Sequence, residues 1–96
     1  MLPYVLSPKA KADLSEIWDY SADRWGAERA TDYVLDIRRA IERAAAHPLH
    51  GRACDEVRAG YFKVSVGSHI VFYRLVDEML DVVRVLHQRM DIGRHL

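Results

Sequence analysis

Apolar positions recur along the chain with two different periods, helical in the first half and strand-like in the second. A short alternation over Leu2–Leu6 predicts an opening strand. Ser7 and Pro8 then offer an N-cap and the proline that suits a first helical position, so a helix is expected to begin at once. Leu14, Ile17, Trp18, Ser21 and Trp25 follow at three- and four-residue spacing and predict its buried stripe. Asp13, Glu16, Asp19 and Asp23 fall outside that stripe and predict an acidic, solvated side. Gly26 interrupts the pattern, and a second helix is expected from about Ala27 to His47 through Ala30, Tyr33, Val34, Ile37, Ile41 and Ala44, with Pro48 ending it. So short a connection makes the two helices an antiparallel hairpin.

The second half is rich in β-branched and aromatic residues. Tyr61 to Val66, His69 to Val76 and Leu80 to His87 predict three strands, reversed at Gly67-Ser68 and at Asp77-Glu78 into an antiparallel meander. The expected fold is therefore α+β, a single domain over residues 1–96, with an N-terminal strand and a helical hairpin on one face of a mainly antiparallel sheet.

Pairing Val66 with His69 puts Phe62, Val64, Val66, His69, Val71, Tyr73 and Leu75 on one face, because strand side chains alternate strictly. Pairing Val76 with Met79 adds Leu80, Val82, Arg84 and Leu86 to this face, which is assigned to the helices. The opposite face then carries Tyr61, Lys63, Ser65, Ile70, Phe72, Arg74, Asp81, Val83, Val85 and His87, with Arg74 opposite Asp81 as a cross-strand surface pair. Its apolar centre of Ile70, Phe72, Val83 and Val85 has two readings. Either the N-terminal strand or the C-terminal tail folds across it, or it is a docking groove for a partner's amphipathic segment, rimmed by Lys63, Arg74 and Arg89.

Charge narrows the functional classes. Fourteen Lys plus Arg balance fourteen Asp plus Glu, which argues against a protein that coats nucleic acid through bulk charge. The balance is uneven along the chain, since the tail from Arg84 to Leu96 holds Arg84, Arg89 and Arg94 against Asp91 alone. That tail predicts contact with an acidic partner, and removing the residues after Gln88 is expected to abolish such contact while sparing the fold. Arg38, Arg39 and Arg43 on the second helix read as a salt-bridged solvated face or as a basic ridge for a partner. No run of about 20 apolar residues and no signal peptide occurs, which predicts a soluble, cytoplasmic protein without membrane contact. One cysteine, Cys54, has no partner for a disulfide. His47 and His50 straddle Pro48, and His69 and His87 fall on different faces in the register above, so no metal site or cofactor is expected.

Ser7-Pro8-Lys-Ala-Lys-Ala-Asp-Leu14, Ile17-Trp18-Asp-Tyr20, Arg58-Ala-Gly-Tyr61, Gly67-Ser-His-Ile-Val-Phe-Tyr-Arg74 and Arg84-Val-Leu-His-Gln-Arg-Met-Asp91 together resemble the ParE toxins of bacterial type II toxin–antitoxin systems. The resemblance covers nearly the whole chain in order. It implies a RelE-like fold, DNA gyrase as the target of the free toxin, and a ParD-like antitoxin. Such an antitoxin is a ribbon-helix-helix protein with an amphipathic C-terminal segment, through which alone the toxin reaches operator DNA.

RelE-type members of the same superfamily are ribosome-dependent mRNA interferases, whose chemistry needs cations for the phosphate and groups that move protons. Matched by strand order, their two lysine positions fall at Lys63 and Ser65, their arginine at Ile70 and their terminal tyrosine at Leu96. Only Lys63 retains such a group, so the expectation is a toxin that binds rather than cleaves, with no catalytic residues. The alternative is an interferase using Lys63, His87 and Arg89. The antitoxin is expected on Tyr61, Lys63, Ile70, Phe72, Arg74, Val83 and Val85, or else on the exposed sides of the helices, and the target on Arg84, His87, Arg89 and Arg94.

Overall fold

A computed structural model describes all 96 residues. The elements in order are β1 (Tyr4–Leu6), α1 (Pro8–Trp25), α2 (Ala27–Ala46), β2 (Arg52–Ala53), β3 (Tyr61–Val66), β4 (His69–Val76), β5 (Met79–His87) and α3 (Ile92–His95). They build one five-stranded sheet in the order β1-β5-β4-β3-β2, antiparallel except where β1 runs parallel to β5. The N-cap forms as expected: Ser7 Oγ accepts the Ala10 N–H at 3.0 Å, with Pro8 in the first turn. The two-residue β2 and the single turn of α3 are too short to leave a period in the sequence.

Both reversals fall where they were expected. Gly67 takes a φ of 55°, and a β-carbon there would lie 2.7 Å from the Tyr33 ring, so the turn needs glycine for its backbone and for its neighbour. In the second turn Asp77 and Glu78 both take positive φ, the geometry that follows the twist of a two-residue hairpin.

Register holds from the hairpin ends inward, then breaks. Val66 pairs with His69, Val76 with Met79, and Arg74 with Asp81, whose side chains bond at 2.9 Å. Tyr73 then pairs with Val82 while Phe72 pairs with Arg84, leaving Val83 as the extra residue of a β-bulge. One inserted residue exchanges the faces of everything after it. Val85, expected on the open face, joins Val71, Tyr73, Leu80 and Val82 in the core beneath the helices, while Leu86, expected beneath them, moves to the opposite face. His87 changes face too and stands directly across from His69.

The stripe on α1 is corrected as well. Ala10, Asp13, Ile17 and Ser21 are its buried residues, while Trp18 and Trp25 are exposed. Trp25 is 51% exposed, packed edge-on against Tyr20 with the Arg24 guanidinium over both rings.

Asp13 is buried for a specific reason. β1 pairs with only three residues of β5, and the first turns of α1 take over the rest of that edge. The Ser7 N–H donates to the Val82 carbonyl at 3.0 Å and Ser7 Oγ–H to the Val83 carbonyl at 2.7 Å. Asp13 Oδ2 accepts the Val85 N–H at 2.9 Å and Arg84 Nε at 2.8 Å, and Asp13 Oδ1 accepts Arg84 Nη2 at 2.8 Å. This bidentate bond holds the Arg84 guanidinium above its already high pKa, against the opposing effect of its burial.

The open face is closed by the chain itself. Cys54, Tyr61, Phe72 and Leu86 form a second buried cluster, with Val57, Ile70, Val83, Ile92 and Leu96 packed on it. Of the two readings of this face, the folded tail is the one observed, and Phe72 at 0% exposure offers no groove. Arg84 Nη1 also donates to the His95 carbonyl at 3.0 Å, so truncation after Gln88 is now expected to uncover this cluster rather than spare the fold.

Removing one partner of a buried ion pair costs about 3–5 kcal/mol, a large part of a small domain's stability. Asp13→Ala is therefore expected to lower the unfolding free energy by about that much in urea titration. Asp13→Leu with Arg84→Met recovers the ion-pair share but leaves the Val85 N–H unbonded, a residual loss of about 1–3 kcal/mol. A single-substitution loss below about 1 kcal/mol would contradict this assignment.

Candidate functional site

Lys63, Ser65 and Ile70 share the face opposite the helices, and Leu96 packs against the same cluster. These are the positions that the resemblance matched to the RelE-type pattern, and the structure puts Leu96 on the side of the sheet that carries the other three. Three of the four hold no cation and no acid or base side chain: a serine, an isoleucine and a leucine. Lys63 stands across from Phe72 on one side and Arg52 on the other. Cys54 lies beneath, and burial pushes its thiol pKa up, away from the thiolate that a nucleophile needs.

The expected antitoxin residues divide by environment. Tyr61 and Phe72 are buried, Lys63, Ile70 and Val83 are half-buried, Arg74 is exposed and held by Asp81, and Val85 lies under the helices. The expected target residues divide too. Arg84 is engaged by Asp13 and the His95 carbonyl, whereas Arg89 is exposed and Arg94 lies only 3.9 Å from Asp91.

The bulge assembles a cluster on the helix side of the sheet that the uninterrupted register kept apart. Tyr33 Oη lies 2.6 Å from His69 Nδ1, accepts the Ser68 N–H at 3.0 Å and reaches the Val66 carbonyl at 3.3 Å. The His69 and His87 rings meet edge to face with centroids 5.2 Å apart. A cleft of about 270 Å³ runs from this pair along α1, past Ile17, Tyr20 and Met90, with Asp13 and Glu16 on its margin. A second one of about 550 Å³ continues toward Arg24, Trp25, Arg29 and Asp32. No group of three metal-ligating side chains is assembled anywhere in the fold.

Burial is the first cause that lowers the His69 pKa, the adjacent His87 the second, and Asp13 opposes both. Because the folded value lies below the ordinary 6.5, the unfolded chain takes up this proton first as pH falls. His69 accordingly contributes stability that is present above pH 6.5 and is lost as pH drops through its folded pKa. Thermal melts of the unsubstituted chain and of His69→Gln, taken between about pH 8 and pH 5, test the sign: the unsubstituted chain should lose more stability across that span. Parallel curves would show that His69 carries no such linkage.

No helix is long and apolar enough to cross a membrane. The family model of the ParE toxin of the type II toxin–antitoxin system parDE matches residues 4–92. Toxin ParE1 of Mycobacterium tuberculosis is 58% identical over 94 residues, spanning 97% of this chain and 96% of its own. Toxin ParE1 of Caulobacter vibrioides is 49% identical over 96 residues, spanning 100% and 99%. A chain from a solved structure described as the chromosomal ParDE TA system from P. aeruginosa superposes with a TM-score of 0.80 at 20% identity, covering 91% of this chain and 96% of that one. With its fold, its length and residues 4–92 all accounted for, the chain belongs to the ParE toxin family of type II toxin–antitoxin systems.

Proposed function

We propose that this ParE toxin acts in the cytoplasm by binding DNA gyrase and stalling replication, without breaking a covalent bond itself, and that a ParD-like antitoxin neutralises it and carries it to operator DNA. The observation that carries this reading is chemical. Four positions that perform RNA cleavage in RelE-type toxins converge on one face, and only Lys63 among them keeps a cation or proton-transfer group. Losing several groups that act as a unit removes most of the acceleration they provide. Membership of a toxin–antitoxin family supports the antitoxin part, as does the shared fold with a chain of a ParDE system.

Target contact is proposed for the half-buried His87 at the end of β5 and for the exposed Arg89 and Arg94 of the segment after it. Arg84 serves this surface indirectly, because its guanidinium ties β5 to α1 and to the His95 carbonyl. Of the residues expected to bind an antitoxin, Tyr61, Ile70, Phe72 and Val83 pack with Ile92 and Leu96 of the tail instead.

One observation favours the interferase as a second reading, namely that His87 stands beside His69 and Tyr33 rather than alone. A gyrase supercoiling assay run beside a translating-ribosome mRNA cleavage assay separates the two. The expected result is inhibited supercoiling with intact mRNA, and Arg89→Glu with Arg94→Glu should weaken inhibition in a folded protein. Cleaved mRNA with unaffected gyrase would overturn the proposal in favour of the second reading.

A further inference from the structure

His69 and His87 form the last pair of the β4–β5 ladder, and the bonds around them make a proton mean different things at the two rings. A backbone N–H can only donate, so the Arg89 N–H at 3.1 Å makes His87 Nδ1 an acceptor and puts the hydrogen of the neutral ring on Nε2. A proton added at Nδ1 faces that N–H donor to donor, and the bond is lost. Tyr33 spares His69 the same loss. Its hydroxyl lies 2.6 Å from His69 Nδ1 and 3.3 Å from the Val66 carbonyl, so it donates to a bare Nδ1 or accepts from a protonated one while turning its own hydrogen to Val66.

The bond at His87 holds a short, exposed stretch of chain. Gln88, Arg89, Met90 and Asp91 are all exposed. The Gln88 N–H donates to the Ser68 carbonyl and the Met90 N–H to the His87 carbonyl, each at 2.9 Å. Further on, Ile92 and Leu96 pack on the second cluster and the His95 carbonyl accepts Arg84 Nη1. Among these anchors His87 Nδ1 is the one acceptor that takes up a proton; the rest are carbonyls and apolar contacts.

The charges that face the pair direct a proton to His87. From α1, Asp13 is engaged by Arg84 and Val85, and Arg24 lies over the Tyr20 and Trp25 rings, which leaves Glu16 as the free carboxylate of the cleft it shares with His87. From α2, Asp36 is held by Arg39, while Asp32 and Arg29 line the larger cleft with opposite signs. From β4, burial and the adjacent His87 both disfavour the charged form of His69. Two touching imidazoles resist carrying two charges, so the pair takes its first proton on one ring.

We propose that His87 is a proton-operated latch on the segment after β5. Neutral, its Nδ1 holds the Arg89 amide and with it the turn from Gln88 to Met90. Protonated, the ring releases that amide and turns toward the Glu16 carboxylate, while the anchors at Ser68, Ile92 and Leu96 stay in place. Arg89 thereby changes from a fixed to a free cation as pH falls. The latch belongs to the free chain and stands whether or not gyrase meets this segment.

Amide exchange and imidazole nitrogen shifts, followed by NMR in the full chain between about pH 8 and about pH 5.5, test it. Corrected for the intrinsic pH dependence of exchange, Arg89 protection should fall about fivefold across that span, the worth of one ordinary hydrogen bond. The Gln88 amide and the amides of β4 should keep theirs, which separates the latch from the global loss of stability through His69. His87→Asn retains a side-chain acceptor for the N–H two residues on without titrating, and should keep Arg89 protected throughout. His87→Phe keeps a planar ring and removes the acceptor, and should leave Arg89 unprotected at every pH. Arg89 protection that is constant with pH in the unsubstituted chain, that falls in step with Gln88, or that still falls in the Asn variant overturns the latch. So does a neutral His87 ring with its hydrogen on Nδ1, an observation on the unsubstituted chain that needs neither variant to fold.

Discussion

The Asp13 carboxylate takes three hydrogen bonds from β5, two from the Arg84 guanidinium and one from the Val85 backbone. β5 has a neighbour on its outer side for only three residues, and an uncovered edge beyond them would leave backbone groups unpaired and open to pairing with another chain. With Ser7, Asp13 fastens the start of α1 to that edge. The helical hairpin is thereby fixed over one face of the sheet, and Arg84 is left with one donor for the His95 carbonyl of the tail. One ionic contact joins the helices, the last strand and the C-terminal cover.

Its placement depends on the bulge at Val83. Without the extra residue Val85 would face away from the helices, and its neighbours would shift with it. With it, the sheet acquires two distinct faces. One packs beneath α1 and α2 through Val71, Tyr73, Leu80, Val82 and Val85, and the other packs beneath the tail through Cys54, Tyr61, Phe72 and Leu86. The face turned away from the helices supports the chain's own C-terminus. What remains exposed is peripheral: aromatic residues at the tip of the helical hairpin and cations after β5.

Much of this was legible in the residues. Ser7-Pro8 marks the cap, Gly67-Ser68 and Asp77-Glu78 mark the reversals, and the Arg74–Asp81 pair follows from counting outward from Val76 and Met79. Counting fails at the bulge because a single inserted residue among valines changes neither composition nor apparent period. That one failure misplaces Val85, Leu86 and His87 and separates His69 from a partner it touches. Asp13 is missed for a different reason, since a carboxylate at helical spacing reads as solvated until a strand edge and an arginine far along the chain are brought to it. The exposure of Trp18 and Trp25 reverses the same inference: Ile17 and Ser21 of the expected stripe are buried, but the small Ala10 joins them where the two large tryptophans do not.

Amide hydrogen exchange at Val85 tests the role of the Asp13 contact most directly. If the carboxylate seals the β5 edge, the Val85 amide exchanges only through global unfolding, at a rate matching the slowest amides of β4. Asp13→Ala should then accelerate Val85 well beyond the change seen across β4. Rapid exchange of Val85 in the unsubstituted protein, at the rate of a solvent-exposed strand edge, would contradict the account.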